Sequence, residues 1–87
     1  MRIQYAKPAL LFLKKCDQKT AARILKKISI NVALDDPLTR AKPLSGTLTG
    51  KYRYRIGEYR VVFMIGENGA ITVLTVLVIG HRKDVYL

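Results

Sequence analysis

The chain is short of the residues from which most compact catalytic sites are built. Its only cysteine is Cys16, so no internal disulfide can form, and the composition fits a reducing, cytoplasmic setting. Its only histidine is His81, which with one cysteine leaves no Cys/His zinc site. Asp and Glu together number 6 and form no cluster suited to Mg²⁺. No glycine-rich phosphate loop precedes a helix, and no Ser/His/Asp set offers a nucleophile. No cofactor is expected. No N-terminal stretch joins basic residues to a long apolar run and a small-residue cleavage site, so export is not expected. The most apolar run, Ala70 to Ile79, is too short to cross a bilayer and rich in β-branched residues. It reads as a buried strand, and no membrane partner is expected.

What is abundant is positive charge. Lys and Arg number 16, giving a formal net charge of +10 on 87 residues. A field of that density recruits polyanions and raises encounter rates with them. Nucleic acid, an anionic membrane surface and an acidic protein all satisfy charge alone. Hydrophobic residues make up 49%, which is globular rather than disordered, and the length allows a single domain over residues 1–87.

Met1 to Tyr5 alternate weakly and suit a short edge strand. Pro8 fits the first turn of a helix, where its missing N–H is harmless, and Ala9 to Leu13 make that helix apolar before Lys14 and Lys15. Asp17 is the expected N-cap of a second helix with Ile24, Ile28 and Val32 at helical spacing. Lys19, Arg23, Lys26 and Lys27 fall mostly on its wet side and read as solvated charge. Asp35, Asp36 and Pro37 end it, and Leu38 to Thr49 read as a loop. From Lys51 the period changes to two. Lys51–Ile56, Tyr59–Ile65 and Ile71–Ile79 read as strands, with tight turns at Gly57-Glu58 (II′) and Asn68-Gly69 (I′). The expected fold is α+β, with two N-terminal helices on one face of a small, mainly antiparallel sheet.

The register of the first hairpin has a chemical consequence. A two-residue turn at Gly57-Glu58 sets Ile56 opposite Tyr59, Arg55 opposite Arg60, Tyr54 opposite Val61 and Arg53 opposite Val62. Opposed residues share a sheet face, and so do alternate residues along a strand. Tyr52, Tyr54, Ile56, Tyr59, Val61 and Phe63 therefore form one face, suited to burial under the helices. Lys51, Arg53, Arg55 and Arg60 form the other. Like charges directly opposed destabilise a sheet by roughly 0.2–1 kcal/mol, and no acid is interleaved on that face, so an anionic ligand is expected there. The third strand returns toward the same end of the sheet, which brings His81, Arg82, Lys83 and Tyr86 into reach of the cluster. Such a cation-rich, metal-free set suits attack by an RNA 2′-hydroxyl on its neighbouring phosphate. That reaction carries its own nucleophile and needs a base, an acid and cations around the phosphorane.

The run Tyr52-Arg53-Tyr54-Arg55-Ile56-Gly57-Glu58-Tyr59-Arg60-Val61-Val62-Phe63, with Ile79-Gly80-His81-Arg82 and Tyr86 beyond it, resembles the RelE-type toxins of the RelE/ParE superfamily. The likeness extends over the whole chain. It implies a fold similar to small microbial ribonucleases and a toxin that cuts mRNA in the ribosomal A site without a metal. It also implies an acidic, RelB-like antitoxin, with operator DNA met only through the toxin–antitoxin complex. By position, the resemblance assigns Arg60 to the scissile phosphate, Arg82 to the leaving group and Tyr86 to stacking or activation. Arg53 and Arg55 stand where well-known members carry lysines. Arginine stabilises a phosphorane but, with a pKa above ~12, is a poor proton acceptor, so the base falls first to Tyr86 and second to His81. Lys51, His81 and Lys83 are the further RNA contacts expected.

A gyrase-directed inhibitor of the ParE branch and a non-catalytic RNA-binding module are the alternatives. The module would need exposed stacking aromatics, whereas Tyr52, Tyr54 and Tyr59 fall on the core face. If the implied acidic antitoxin is steered by the +10 charge, its association rate should fall steeply with added salt while dissociation changes little. Stopped-flow mixing over a salt series checks this, and a salt-independent on-rate would contradict it.

Overall fold

Two helix starts are built differently. Asp17 caps α2 (Gln18–Val32) by accepting from the Thr20 backbone N–H at 3.0 Å and from its hydroxyl at 2.6 Å. The first helix, α1 (Lys7–Lys15), has no side-chain cap and relies on Pro8 in its first turn and on Lys14 and Lys15 at its carbonyl end. These features come from a computed structural model that describes residues 1–81 and Lys83.

The strands are β1 (Arg2–Tyr5), β2 (Ala41–Pro43), β3 (Tyr52–Ile56), β4 (Tyr59–Asn68) and β5 (Ile71–His81), with a single 3₁₀ turn at Gly46–Leu48. They form one five-stranded sheet in the order β1-β5-β4-β3-β2. β1 runs parallel to β5, and the remaining pairs are antiparallel. Both helices cover one face, as the sequence pattern predicts. Ala9 of α1 and Ile24 and Ile28 of α2 meet Tyr54, Ile56, Val61, Phe63, Leu74, Val76 and Ile79 in one buried cluster. The β3–β4 register matches the expected one at every pair, including Arg55 opposite Arg60.

Four details differ from the sequence reading. Ala41–Pro43, read as loop, is a strand that pairs with the free edge of β3, a contact no local pattern encodes. β4 and β5 run on to Asn68 and His81, beyond Ile65 and Ile79, because the hairpin ladder continues into polar residues. The second turn is centred on Gly69-Ala70 rather than Asn68-Gly69. Asn68 pairs with Ile71, and only Gly69 has positive φ, which is the II′ rather than the I′ pattern. Finally, β5 carries a bulge: Val62 pairs with Val78 but Phe63 with Val76, leaving Leu77 unopposed.

Tyr54 ties the sheet to the segment that follows α2. Its ring is fully buried and stacks on Phe63 at 4.4 Å, and its hydroxyl donates to the Pro37 carbonyl at 2.6 Å. Burial first, and the charge of Asp36 second, push the phenol up to about 12. Tyr54→Phe should therefore cost about 1–2 kcal/mol at neutral pH. Because the folded-state pKa lies above the unfolded one, that difference is fully present below about pH 10 and lost as pH rises through about 12. Denaturant melts of both proteins at neutral and strongly alkaline pH measure it.

Candidate functional site

The sheet face opposite the helices gathers basic side chains from neighbouring strands. β3 and β4 place Arg53, Arg55 and Arg60 on it, with Arg55 exposed and the other two half-buried. Partial burial first, then the charges of Arg55 and Arg60, hold the Arg53 guanidinium below its ordinary pKa. That direction is what mutual crowding of like charges produces. Lys42, which the sequence pattern alone assigns to a loop, pairs with Arg53 through β2 and so joins the same face. Only the position of β2 reveals it. Register places no Asp or Glu on this face in any of the five strands.

Gly80 lies directly across from Arg60. Gly80 places no side chain beside Arg60, and the two are covered together, Gly80 buried and Arg60 half-buried. This placement follows from the Leu77 bulge, which moves every later residue of β5 by one position. The same shift decides where His81 goes. It pairs with Tyr59, whose ring it meets edge-on at 6.1 Å, so it stands on the tyrosine face, away from the arginines. The expectation that His81 joins the cluster is corrected: it reaches the right end of the sheet on the wrong side. His81 Nδ1 accepts from the Lys83 backbone N–H at 3.3 Å, and Nε2 points toward Glu58 at 4.0 Å. An accepting Nδ1 leaves the ring proton on Nε2, so neither nitrogen is free toward Arg60.

Lys51 precedes β3, half-buried, with its backbone bonded to Leu44 and Leu48. Lys83 is exposed. Arg82 and Tyr86, expected to serve the leaving group and the nucleotide, lie outside the described residues. Tyr52, Tyr54 and Tyr59 do not form a stacking surface. Tyr54 is buried, and Tyr52 and Tyr59 are half-buried and packed against Phe63 and Phe12. That argues against the stacking-platform module. No group of His, Cys, Asp and Glu among the described residues is arranged to hold a metal ion, and no described helix is long and apolar enough to cross a membrane.

A family model described as the ParE toxin of the type II toxin–antitoxin system parDE matches residues 3–86. Among solved structures, the toxin–antitoxin complex RelBE2 of Mycobacterium tuberculosis is similar at 25% identity and TM-score 0.78, covering 93% of this chain and 96% of that one. The YoeB dimer of Staphylococcus aureus is similar at 26% identity and TM-score 0.63, covering 94% and 97%. A YoeB/ParE toxin of Agrobacterium tumefaciens shares the fold at 21% identity and TM-score 0.72, covering 94% and 99%. Comparison with curated protein sequences gives no significant match.

The crowding of guanidinium groups is testable without any ligand. Arg55→Glu turns the like-charge pair with Arg60 into an opposite-charge pair at an exposed position. It should raise stability by roughly 0.5–1 kcal/mol at low ionic strength. The gain should fade in about 1 M salt, where screening is nearly complete. Thermal melts at both ionic strengths check this.

Proposed function

The chain belongs to the ParE toxin family, within the RelE/ParE superfamily of toxin–antitoxin systems, and from that premise we propose that it is a toxin whose open cationic face engages RNA phosphate and promotes its cleavage. The observation that carries this reading is the convergence of Arg53, Arg55, Arg60 and Lys42 on one sheet face to which the described strands bring no acid. The similar RelBE2 protein occurs in complex with its antitoxin. We extend that to this chain as an acidic partner that covers the cationic surface until the toxin is released. The ribosome and its mRNA are the proposed target.

The chemistry follows from what arginine does well and badly. In the proposed reaction the ribose 2′-oxygen attacks the adjacent phosphorus, its proton passes to a base, the bond from phosphorus to the 5′-oxygen breaks, and that oxygen takes up a proton. Arg53, Arg55 and Arg60 neutralise the phosphorane, which gathers negative charge as the 2′-oxygen bonds. None of them is a suitable base, since each keeps its proton near neutrality. The proton work is assigned to Tyr86, with Arg82 at the leaving oxygen. His81 is the weaker candidate because its ring faces Tyr59 and Glu58.

The matched family model favours a second reading, inhibition of gyrase, since ParE names the gyrase-directed branch of the superfamily. There the same face would meet a protein–DNA target without cutting nucleic acid. One pair of assays separates the two. In a translation reaction read by primer extension, the first reading expects defined mRNA cuts that lose about 10²–10³-fold in rate with Arg60→Ala or Arg82→Ala. A 2′-deoxy substitution at the cut nucleotide should abolish cleavage. Intact mRNA together with trapped gyrase–DNA cleavage complexes would replace this reading with the second.

A further inference from the structure

The basic residues of α2 do not all face open solvent. Arg23, Lys27 and Asn31 stand at successive i, i+4 positions, one above another on the helix. With Arg40 and Arg55 they line a groove of about 380 Å³ between α2 and the β3–β4 turn. Arg23 reaches across to that turn: a Cβ built on Gly57 would sit 3.4 Å from Arg23 Nη2. β2 begins opposite Tyr54, so from Arg55 onward β2 no longer covers the edge of β3, and the groove lies there. No acid among the described residues lines it. Among the described residues the one ion pair is His81 with Glu58, which are not among the lining residues.

Basic residues on a helix are usually plain solvated charge, and they would carry nothing alone. The second observation is Asn31. It is 4% exposed, lines the groove, and its Oδ1 has no hydrogen-bond partner among the described residues. Buried polar atoms nearly always find a partner, so an unpartnered acceptor on a residue that lines a cationic groove points to a ligand that brings both negative charge and a donor. A carboxylate side chain brings the charge but no donor of its own. An RNA backbone brings a phosphodiester and, beside it, a ribose 2′-hydroxyl that donates and accepts. Among the described residues no aromatic lines the groove, so they offer no platform on which to stack a base.

We propose that this groove is an RNA-backbone subsite, in which Arg23, Lys27, Arg40 and Arg55 hold a phosphodiester while Asn31 Oδ1 accepts from the neighbouring ribose 2′-hydroxyl. The proposal rests on the reading of the chain as an RNA-directed toxin. Arg55 belongs both to the open face and to the groove. A strand bound across the arginine face thus continues around the β3 edge onto α2, and the groove holds RNA that flanks the reacting phosphate.

The test is direct binding, by fluorescence anisotropy, of the purified full chain to three probes. They are a labelled single-stranded RNA of about ten nucleotides, within the usual span of such sites, its all-deoxy counterpart, and a polyglutamate peptide. The double variant Arg23→Ser/Lys27→Ser should weaken RNA binding by about tenfold or more. It should also lower the salt slope by roughly 1.4, since each of two phosphates left without its cation removes ~0.7. Arg40→Ser, at an exposed position, should show the same trend to a smaller degree. Asn31→Leu should weaken RNA binding but leave DNA binding unchanged, so that the RNA-over-DNA preference falls, with circular dichroism confirming the fold.

Wild-type RNA affinity in the double variant would overturn the subsite, and loss of polyglutamate binding alongside it would reassign the groove to an acidic peptide. An unchanged RNA/DNA ratio in Asn31→Leu would overturn the role of the hydroxyl. The translation assay keeps the two readings apart. If the protein cuts no mRNA yet shows the predicted groove-dependent binding, the cleavage reading falls and the subsite stands. If cleavage proceeds with unaltered KM and kcat in the double variant, and decamer binding is also unaltered, the subsite falls and cleavage stands.

Discussion

The side of the sheet on which each residue of β3 and β4 stands is set at one place, the turn at Gly57-Glu58. Gly57 takes φ +58, a conformation open to glycine and unfavourable to most other residues, and this allows a connection only two residues long. Because side chains alternate with period two, a slip of one residue would carry Tyr54, Val61 and Phe63 out of the core and bring the arginines into it. The buried tyrosine and valine face and the arginine face therefore depend on each other. Packing against Ile24 and Ile28 enforces the register from one side, and it is this register that assembles Arg53, Arg55 and Arg60 on the other.

The cationic face is maintained at an electrostatic cost. Arg55 faces Arg60 directly, Lys42 faces Arg53, and no strand places a carboxylate on that face. The folded protein tolerates this because most of its apolar burial lies on the opposite side, from Ala9 through Phe63 to Ile79, with Val62 and Val73 buried on the arginine side. Charge is thus gathered on one face of a single sheet, and the main core lies on the other. A polyanion, whether nucleic acid or an acidic protein, gains attraction from the charges on the open side without disturbing the core.

The hairpin was legible in the sequence because its information is local: a glycine-led turn flanked by alternating residues determines which side chains oppose which. The caps and apolar spacing of the helices were legible for the same reason. What escaped reading depends on contacts between distant segments. Ala41–Pro43 has no strand signature of its own and becomes one by pairing with β3, which brings Lys42 to the open face. The convergence of Arg23, Lys27 and Arg40 near Gly57 needs the helix to be docked before it exists. His81 was placed at the correct end of its strand but on the wrong face, since simple alternation does not anticipate an unopposed Leu77.

That bulge makes β5 a strand written in two frames. Up to Val76 its core-facing positions are even-numbered, and from Ile79 they are odd-numbered. The first frame is matched to β1 and to the far half of β4, and the second to the hairpin with Arg60. Loss of Leu77 alone would merge the two frames into one regular ladder, with Val78 still opposite Val62 and Gly80 still opposite Arg60. Gain of a residue there would instead either enlarge the bulge or shift Gly80 away from Arg60 and turn the residues beyond it to the other face. The strand is thereby a junction that can absorb the loss of one residue by shedding its bulge, whereas a gain there changes which residue stands beside Arg60.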